Sequence, residues 1–499
     1  MLIDLSTPGG AVLGLLPELA LTAWALVMLM VIAWRHTTVA DTRLVGQLSI
    51  VGYVLAAVAA AWLGLQGAHA DGLNLMIALD GYRFAGDILV LWIGAAVTVI
   101  SLRWLERQGM LAPEYYVLLM LATVGMMLLS GAADMITLFL GLEVMSISVY
   151  VLAGYDRSRR ASAEAALKYF LIGAFASGFL LYGIALTYGA TGQFIFALIG
   201  GQLASTQPTL MAKLGMGLLL IGFAFKVAAV PFHAWAPDVY EGAPTPVTAF
   251  MASGVKAAAF LARARVLAEV FPAFVTLWRP VVTGLAIATI LVGNLTALAQ
   301  TSMKRMLAYS AIAHAGYLLL AIWANSDSGT AAVLIYLLAY GLTTVAAFGI
   351  LASIERTGTE TVRLVDLEGL FSARPLAATG LSICMLSLLG FPGTFGFIGK
   401  WLLLSSALAQ GEWLLPLVAM IGSGISIGYY LPVVLAMVMK PVRTPTAHET
   451  IRFPRPATLA IGFCVLVLVI LGFWPNPVLN FASQQAVQLR HTAVLIAPR

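Results

Sequence analysis

Residues 210–240 read LMAKLGMGLLLIGFAFKVAAVPFHAWAPDVY, and their reading decides the fold. Up to Val230 the only charges are Lys213 and Lys226. At about 1.5 Å per residue, such a run is long enough to cross a hydrocarbon core of about 30 Å. Pro231 then removes an amide donor and clashes with the preceding turn, so the helix is predicted to break five residues after Lys226. A broken membrane helix exposes backbone dipoles beside a charge, which is how transporters build ion sites.

Outward from this stretch, apolar runs recur along the whole chain. The predicted spans are 11–34, 44–65, 86–105, 112–131, 134–153, 166–189, 210–231, 244–262, 279–298, 305–323, 330–353, 376–401, 413–439 and 457–474, with the tail after Pro475 read as short. Inside lipid every backbone donor needs an internal partner, so the fold class is an all-α membrane protein of about fourteen transmembrane helices. Composition agrees: 61% of residues are hydrophobic and 10% charged, against about a quarter charged in soluble domains. The mean hydropathy is +0.96.

The net charge of +5 comes with no basic patch suited to nucleic acid. Its distribution instead sets orientation by the positive-inside rule. Sixteen Lys and Arg follow odd-numbered spans: Arg35, Arg43, Arg103, Arg107, Arg157, Arg159, Arg160, Lys304, Arg305, Arg356, Arg363, Arg374, Lys440, Arg443, Arg452 and Arg455. Six lie on the other side: Arg83, Arg263, Arg265, Arg279, Arg490 and Arg499. Both termini are therefore expected in the periplasm, with the chain in the bacterial inner membrane. The Arg263/Arg265 pair violates the bias and is expected to be buried in the bundle or against another subunit. The N-terminal MLIDL has neither a basic region nor a cleavage site and does not read as a removed signal peptide.

Charges at bilayer depth cost about 2.5–3.5 kcal/mol each on insertion scales and mark functional paths. Glu143 lies mid-span in LFLGLEVMSISVY, as a proton-exchanging acid or a structural partner. Lys168, in EAALKYFLIGAF, either snorkels to the interface or pairs with Glu143 across spans 5 and 6. Lys226 precedes the break, and His233 follows it as a titratable or interfacial histidine. Lys256 is central in VTAFMASGVKAAAFLA, and Lys400 lies beyond a second break in LSLLGFPGTFGFIGKW, where Gly390, Pro392, Gly393 and Gly396 interrupt the run. His314 in AIAHAGY divides between relay and helix packing. Lys213 reads as an edge anchor, while Asp238 and Glu241 read equally as loop structure or entry to the path.

Spans 4–8, with broken helix 7, and spans 9–13, with broken helix 12, echo each other by spacing. Five spans per unit would place the two copies in opposite orientations. The expected organisation is 1–110 for helices 1–3, 111–265 and 266–440 for two inverted repeats, and 441–499 for helix 14 and a short periplasmic tail. Protons could then pass along a central chain from Glu143 and Lys168 through Lys226 and Lys256 to Lys400.

Three segments carry a family resemblance: FKVAAVPFHAWAPDVYEGAPTPVTAF (225–250), SMKRMLAYSAIAHAGY (302–317) and GFPGTFGFIGKW (390–401). With them, the chain resembles the antiporter-like membrane subunits of bacterial respiratory complex I, the NADH–quinone oxidoreductase, over almost its whole length. A lysine at 400 fits the subunit N branch better than the M branch with its glutamate, and no long lateral helix of the L branch follows span 14. The resemblance implies relay roles for Glu143, Lys168, Lys226, Lys256 and Lys400, with His233 and His314 as auxiliaries. It further implies a translocase subunit without cofactors, whose partners are neighbouring antiporter-like and small helical subunits. NADH, FMN, iron–sulfur clusters and quinone would be used elsewhere in the complex.

The residues agree with that picture: there is no GxGxxG beside a strand, no CxxC array and no haem-spaced histidine pair. Cys384 and Cys464 read as packing residues. The alternatives are a subunit of a cation/proton antiporter or of a ferredoxin- or hydrogenase-linked membrane complex. A structural spacer would not need so many buried charges.

Overall fold

The computed structural model describes residues 1–35, 38–71, 76–110, 112–205, 207–355, 362–441 and 455–495. Arg356, Arg443, Arg452 and Arg499, and the side chain of Arg490, all counted in the orientation argument, lie outside the described residues.

The chain folds as a helical bundle. In order the helices are α1 (Pro8–Gly14), α2 (Leu16–Trp34), α3 (Val39–Leu65), α4 (Gly81–Arg107), α5 (Glu114–Gly131), α6 (Met135–Ala153) and α7 (Arg160–Thr191). Next come α8 (Phe196–Ser205), α9 (Leu210–Lys226), α10 (Trp235–Gly242), α11 (Thr245–Phe250), α12 (Lys256–Glu269), α13 (Val275–Ala297), α14 (Met303–Ala324) and α15 (Asp327–Ile354). The last are α16 (Leu370–Ala373), α17 (Pro375–Leu389), α18 (Phe395–Leu408), α19 (Leu414–Met439), α20 (Arg455–Phe473) and α21 (Asn476–Leu495). A π-helical turn, Met251–Val255, joins α11 to α12 as one continuous span. Among the described residues the only paired strands are short: Leu2–Asp4 beside His69–Asp71, in parallel.

Among the described residues, twelve helices are long and apolar enough to cross a membrane, and each coincides with a span read from hydropathy. The two remaining spans are the interrupted ones. α9 and α10 flank Pro231, and α17 and α18 flank the Gly390–Gly393 break, where both glycines take positive φ (84° and 89°) that other residues rarely adopt.

Helix starts carry side-chain caps where the sequence offers them. Asp80, Asp134, Ser302 and Ser326 each accept from the backbone N–H three residues on, satisfying a donor that the helix leaves free. Close crossings use glycine: a Cβ on Gly125 of α5 would lie 2.3 Å from the Met145 nitrogen of α6, and one on Gly141 2.5 Å from that of Leu129. Backbones can approach this closely only through small residues, the usual device between membrane helices.

α11–α12, α14 and α15 form the buried axis, whereas α2, α13, α19 and α20 are outer helices with exposed apolar faces. The axial helices are buried all round because protein surrounds them. They carry Lys256, His314, Tyr317, Tyr336 and Tyr340.

Three expectations are corrected by the fold. Span 8 does not close at Arg263; its helix continues to Glu269, and Arg263 (0% exposed) and Arg265 (2%) are inside the bundle. Arg265 pairs with Asp80 at 2.7 Å and Glu269 at 2.9 Å, which explains the local charge violation as internal pairing. The three guanidinium nitrogens of Arg263 have no hydrogen-bond partner among the described residues. Lys304, counted as a loop charge, is buried and donates to the Ala243 carbonyl at 2.6 Å. The residues after Pro475 form α21, a twenty-residue helix that packs on α15 and α4.

Candidate functional site

Lys226 is the last residue of α9, 3% exposed. Its ammonium donates to Ser146 Oγ at 2.6 Å and to Tyr150 Oη at 3.5 Å, both on α6. It also lies 5.3 Å from the Tyr150 ring centroid and 5.7 Å from that of Tyr169. Trp235, the first residue of α10, stacks on Tyr169 at 4.5 Å, so the far arm of the break holds one wall of the cage. The C-terminus of α9 adds the negative end of a helix dipole to these ligands.

Glu143 sits one helical turn before Ser146 and two before Tyr150, on the same face of α6. It is half-buried, and its Oε1 has no hydrogen-bond partner among the described residues. Among the described residues it forms no ion pair with Lys226.

Lys168 does not pair with Glu143. Its ammonium binds Glu164 at 2.7 Å and Asp238 at 2.9 Å. Asp238 also receives Arg305 Nη2 at 2.8 Å, and Arg305 Nη1 reaches Glu241 at 2.9 Å. The reason is register: α10 presents Asp238 to α7, while Glu143 lies on the α6 face that it shares with Ser146. This half-exposed network ties α7, α10 and α14 together, so Asp238 and Glu241 fix the far arm of the first broken helix. His233 lies in the break, half-buried, with Nδ1 unpartnered among the described residues.

Lys256 follows the π turn, a distortion common at functional sites. Its ammonium donates to the Ala311 carbonyl of α14 and lies 5.5 Å from the Tyr340 ring. His314, one turn along α14 from Ala311, contacts Tyr336 Oη through Nδ1 and Tyr430 Oη through Nε2 at 3.0 Å. Tyr430 Oη in turn meets Ser310 Oγ. The Tyr340 ring is 5.1 Å from the imidazole, so one tyrosine touches both Lys256 and His314.

Lys400, on α18, reaches back across the second break. It donates to the carbonyl of Leu389, the last residue of α17, at 3.0 Å and to Ser423 Oγ at 3.3 Å, with the Tyr317 ring 4.7 Å away. Tyr317 is fixed by Asn294, which also receives Tyr429 Oη at 2.8 Å. Both breaks therefore place an ammonium at the C-terminus of the first arm, where a helix end favours a cation.

The lysine ion pairs among the described residues are those of Lys168 and Lys440; Lys226, Lys256 and Lys400 have none. Their ligands are hydroxyls, carbonyls and ring faces. A serine or tyrosine hydroxyl can accept from an ammonium or donate to an amine, so both forms are accommodated without refolding the site. No direct hydrogen bond joins the Lys226 group to the Lys256 group among the described residues. On the Lys226 side, Tyr240 of α10 packs its ring against Trp235 at 6.2 Å.

The tyrosines and Ser146 were not singled out from sequence. The available signal was spacing: Ser146 and Tyr150 share a helix face with Glu143, Ser310 and Tyr317 lie one turn either side of His314, and Tyr336 and Tyr340 are four apart. Replacing Ser146 with Ala is expected to lower proton-coupled turnover several-fold at unchanged assembly, with Thr restoring most of it. Equal turnover in the Ala variant would remove Ser146 from the site.

The described residues contain no cluster of His, Cys, Asp and Glu that could hold a metal. Residues 132–426 match the family described as NADH:quinone oxidoreductase/Mrp antiporter, TM. NADH-quinone oxidoreductase subunit N 2 of Roseiflexus castenholzii is 43% identical over 92% of this chain and 93% of its own length. This chain belongs to the subunit N family of NADH-quinone oxidoreductases. Subunit N of Trichlorobacter lovleyi is 40% identical over 95% of this chain and 96% of its own length. Among solved structures, a chain of Thermus thermophilus respiratory complex I superposes with a TM-score of 0.80 at 35% identity, covering 94% of this chain and 99% of its own. A chain of the Mrp complex of Dietzia, at 23% identity, has a TM-score of 0.81 and shares the fold.

Proposed function

We propose that this subunit N family member is a non-redox, proton-translocating subunit of an NADH–quinone oxidoreductase, which moves protons through Glu143, Lys226, Lys256, His314 and Lys400. The observation that carries the reading is the pair of broken helices. Each holds an ammonium at a helix C-terminus, and Lys256 and His314 lie between them on the buried axis. Electrons move from NADH to quinone in other subunits. Here protonation changes alternate along the lysines, with tyrosine hydroxyls, the imidazole and water carrying protons across the intervals.

Lys168 serves this mechanism indirectly, by anchoring α10 through Asp238, and His233 faces the break from which the first half-path is entered. Residues 111–265 and 266–440 act as inverted repeats, each supplying one broken helix. The subunit lies in the inner membrane between neighbouring antiporter-like and small helical subunits, with both termini in the periplasm. It holds no cofactor of its own.

Lys256 links the halves, so Lys256→Met tests the relay. Quinone-coupled proton uptake by inverted membrane vesicles is expected to fall about tenfold, an increase of about 1.4 kcal/mol in the barrier, while the amount of assembled complex is unchanged. Full coupled uptake by an assembled Lys256→Met complex would disconnect the two halves and refute this path.

A further inference from the structure

Away from the relay, α17 and α20 enclose a cavity of about 590 Å³, backed by Ile350 of α15 and walled by Gly380, Ile383, Ile461 and Val465. No acidic side chain lines it. On α20 it extends from Thr458 to Val469, which at about 1.5 Å per residue is roughly 16 Å. That depth equals one leaflet of a hydrocarbon core about 30 Å thick. Leu376 (84% exposed) and Leu466 (57%), on its rim, face outward from the bundle.

The cavity has a charged end. Arg374 lines it where α17 begins, and Arg455 opens α20 at the same end, three residues before Thr458. Arg374 on the cavity wall, with Arg455 one turn before Thr458 on the same face of α20, gives this apolar, leaflet-deep groove a basic end that matches a phosphate head with its acyl chain below. Arginine forks bind phosphate oxygens in pairs, and basic pockets between membrane helices favour anionic heads.

We propose that this groove holds one acyl chain of an anionic phospholipid whose phosphate lies between Arg374 and Arg455. The lipid fills the seam between α17, the first arm of the second broken helix, and α20. This site is independent of the proton path.

Gly462 also lines the groove, and a Cβ built there meets no atom within 4 Å. Gly462→Trp therefore fills the groove without displacing backbone, and Arg374→Gln removes one head-group ligand. The purified complex, exchanged into nanodiscs of mixed phosphatidylglycerol and phosphatidylcholine, would be weighed by native mass spectrometry. Wild type is expected to retain one more phosphatidylglycerol than Gly462→Trp. In Arg374→Gln the preference for phosphatidylglycerol over phosphatidylcholine should fall about fivefold. Equal phosphatidylglycerol in wild type and Gly462→Trp overturns the site. Equal retention of both lipids by wild type overturns the anionic assignment. A photo-crosslinker at Thr458 that captures a neighbouring polypeptide rather than lipid also overturns it. Should Gly462→Trp fail to assemble, the lipid preference of Arg374→Gln decides.

Discussion

Replacing Lys226 with Ala is expected to leave the complex assembled and to cut NADH–quinone turnover and proton export together, by tenfold or more. The two halves of that expectation have different physical origins. Burying an ammonium without an ion-pair partner is costly, so its removal relieves the fold of a desolvation penalty rather than stripping it of a stabilising contact. Ser146 keeps its bond to the Leu142 carbonyl, and Trp235 still stacks on Tyr169. What disappears is the ammonium in the Tyr150–Tyr169 cage, the group whose change of protonation the proposed relay requires at the end of α9. A loss of tenfold corresponds to about 1.4 kcal/mol on the rate-limiting step. The measurement compares electron transfer, proton export and the amount of intact complex in the same membranes. Normal rates at full assembly would make Lys226 a structural residue and leave the path without its centre.

Arg83→Ala should have the opposite signature: little assembled complex, whatever the remaining activity. Arg83 is fully buried and donates to Glu18 at 2.7 and 2.9 Å, to the Ala78 carbonyl at 3.0 Å and to the Gly14 carbonyl at 2.9 Å. Asp87 lies 3.3 Å from its Nε. Truncation would leave two buried carboxyls without their cation, and breaking a buried pair in this way costs about 3–5 kcal/mol. The pair Arg35–Asp41 lies at the surface, where solvent screens it, so Arg35→Ala is the matched control. Subunit abundance in membranes and the thermal midpoint of the purified complex report the difference. Adding Glu18→Gln and Asp87→Asn should recover part of the loss, because neutral amides need no cation. Wild-type abundance of the Arg83→Ala variant would show that the cluster does not hold α2 against α4.

The breaks and the spans were legible because their causes are local. A proline or a glycine pair interrupts a helix wherever it falls, and an apolar run either reaches across a bilayer or does not. The same holds for which residues are out of place: Glu143, Lys226, Lys256 and Lys400 each stand alone in an apolar window, and family resemblance added roles to positions already conspicuous. Partners were not legible. Lys168 reads as a match for Glu143 by proximity in sequence, yet Asp238, seventy residues on, takes it because α10 folds back against α7. Arg263 and Arg265 read as a charge violation until Asp80 and Glu269 are seen beside Arg265.

By itself, then, the sequence determined that this chain is a bundle of membrane helices, where two of them break, and which charges are carried into the bilayer. Those are sums over short windows: hydropathy, proline sterics and desolvation. Only the tertiary structure decided that the two breaks face the same buried axis and that tyrosines from α6, α7, α14, α15 and α19 line it. It also decided that the residues after Pro475 pack as a helix. The physical reason is that the axial helices are buried on every side. With no polar face to mark a direction, their sequences say that they are buried but not which neighbour each side chain meets.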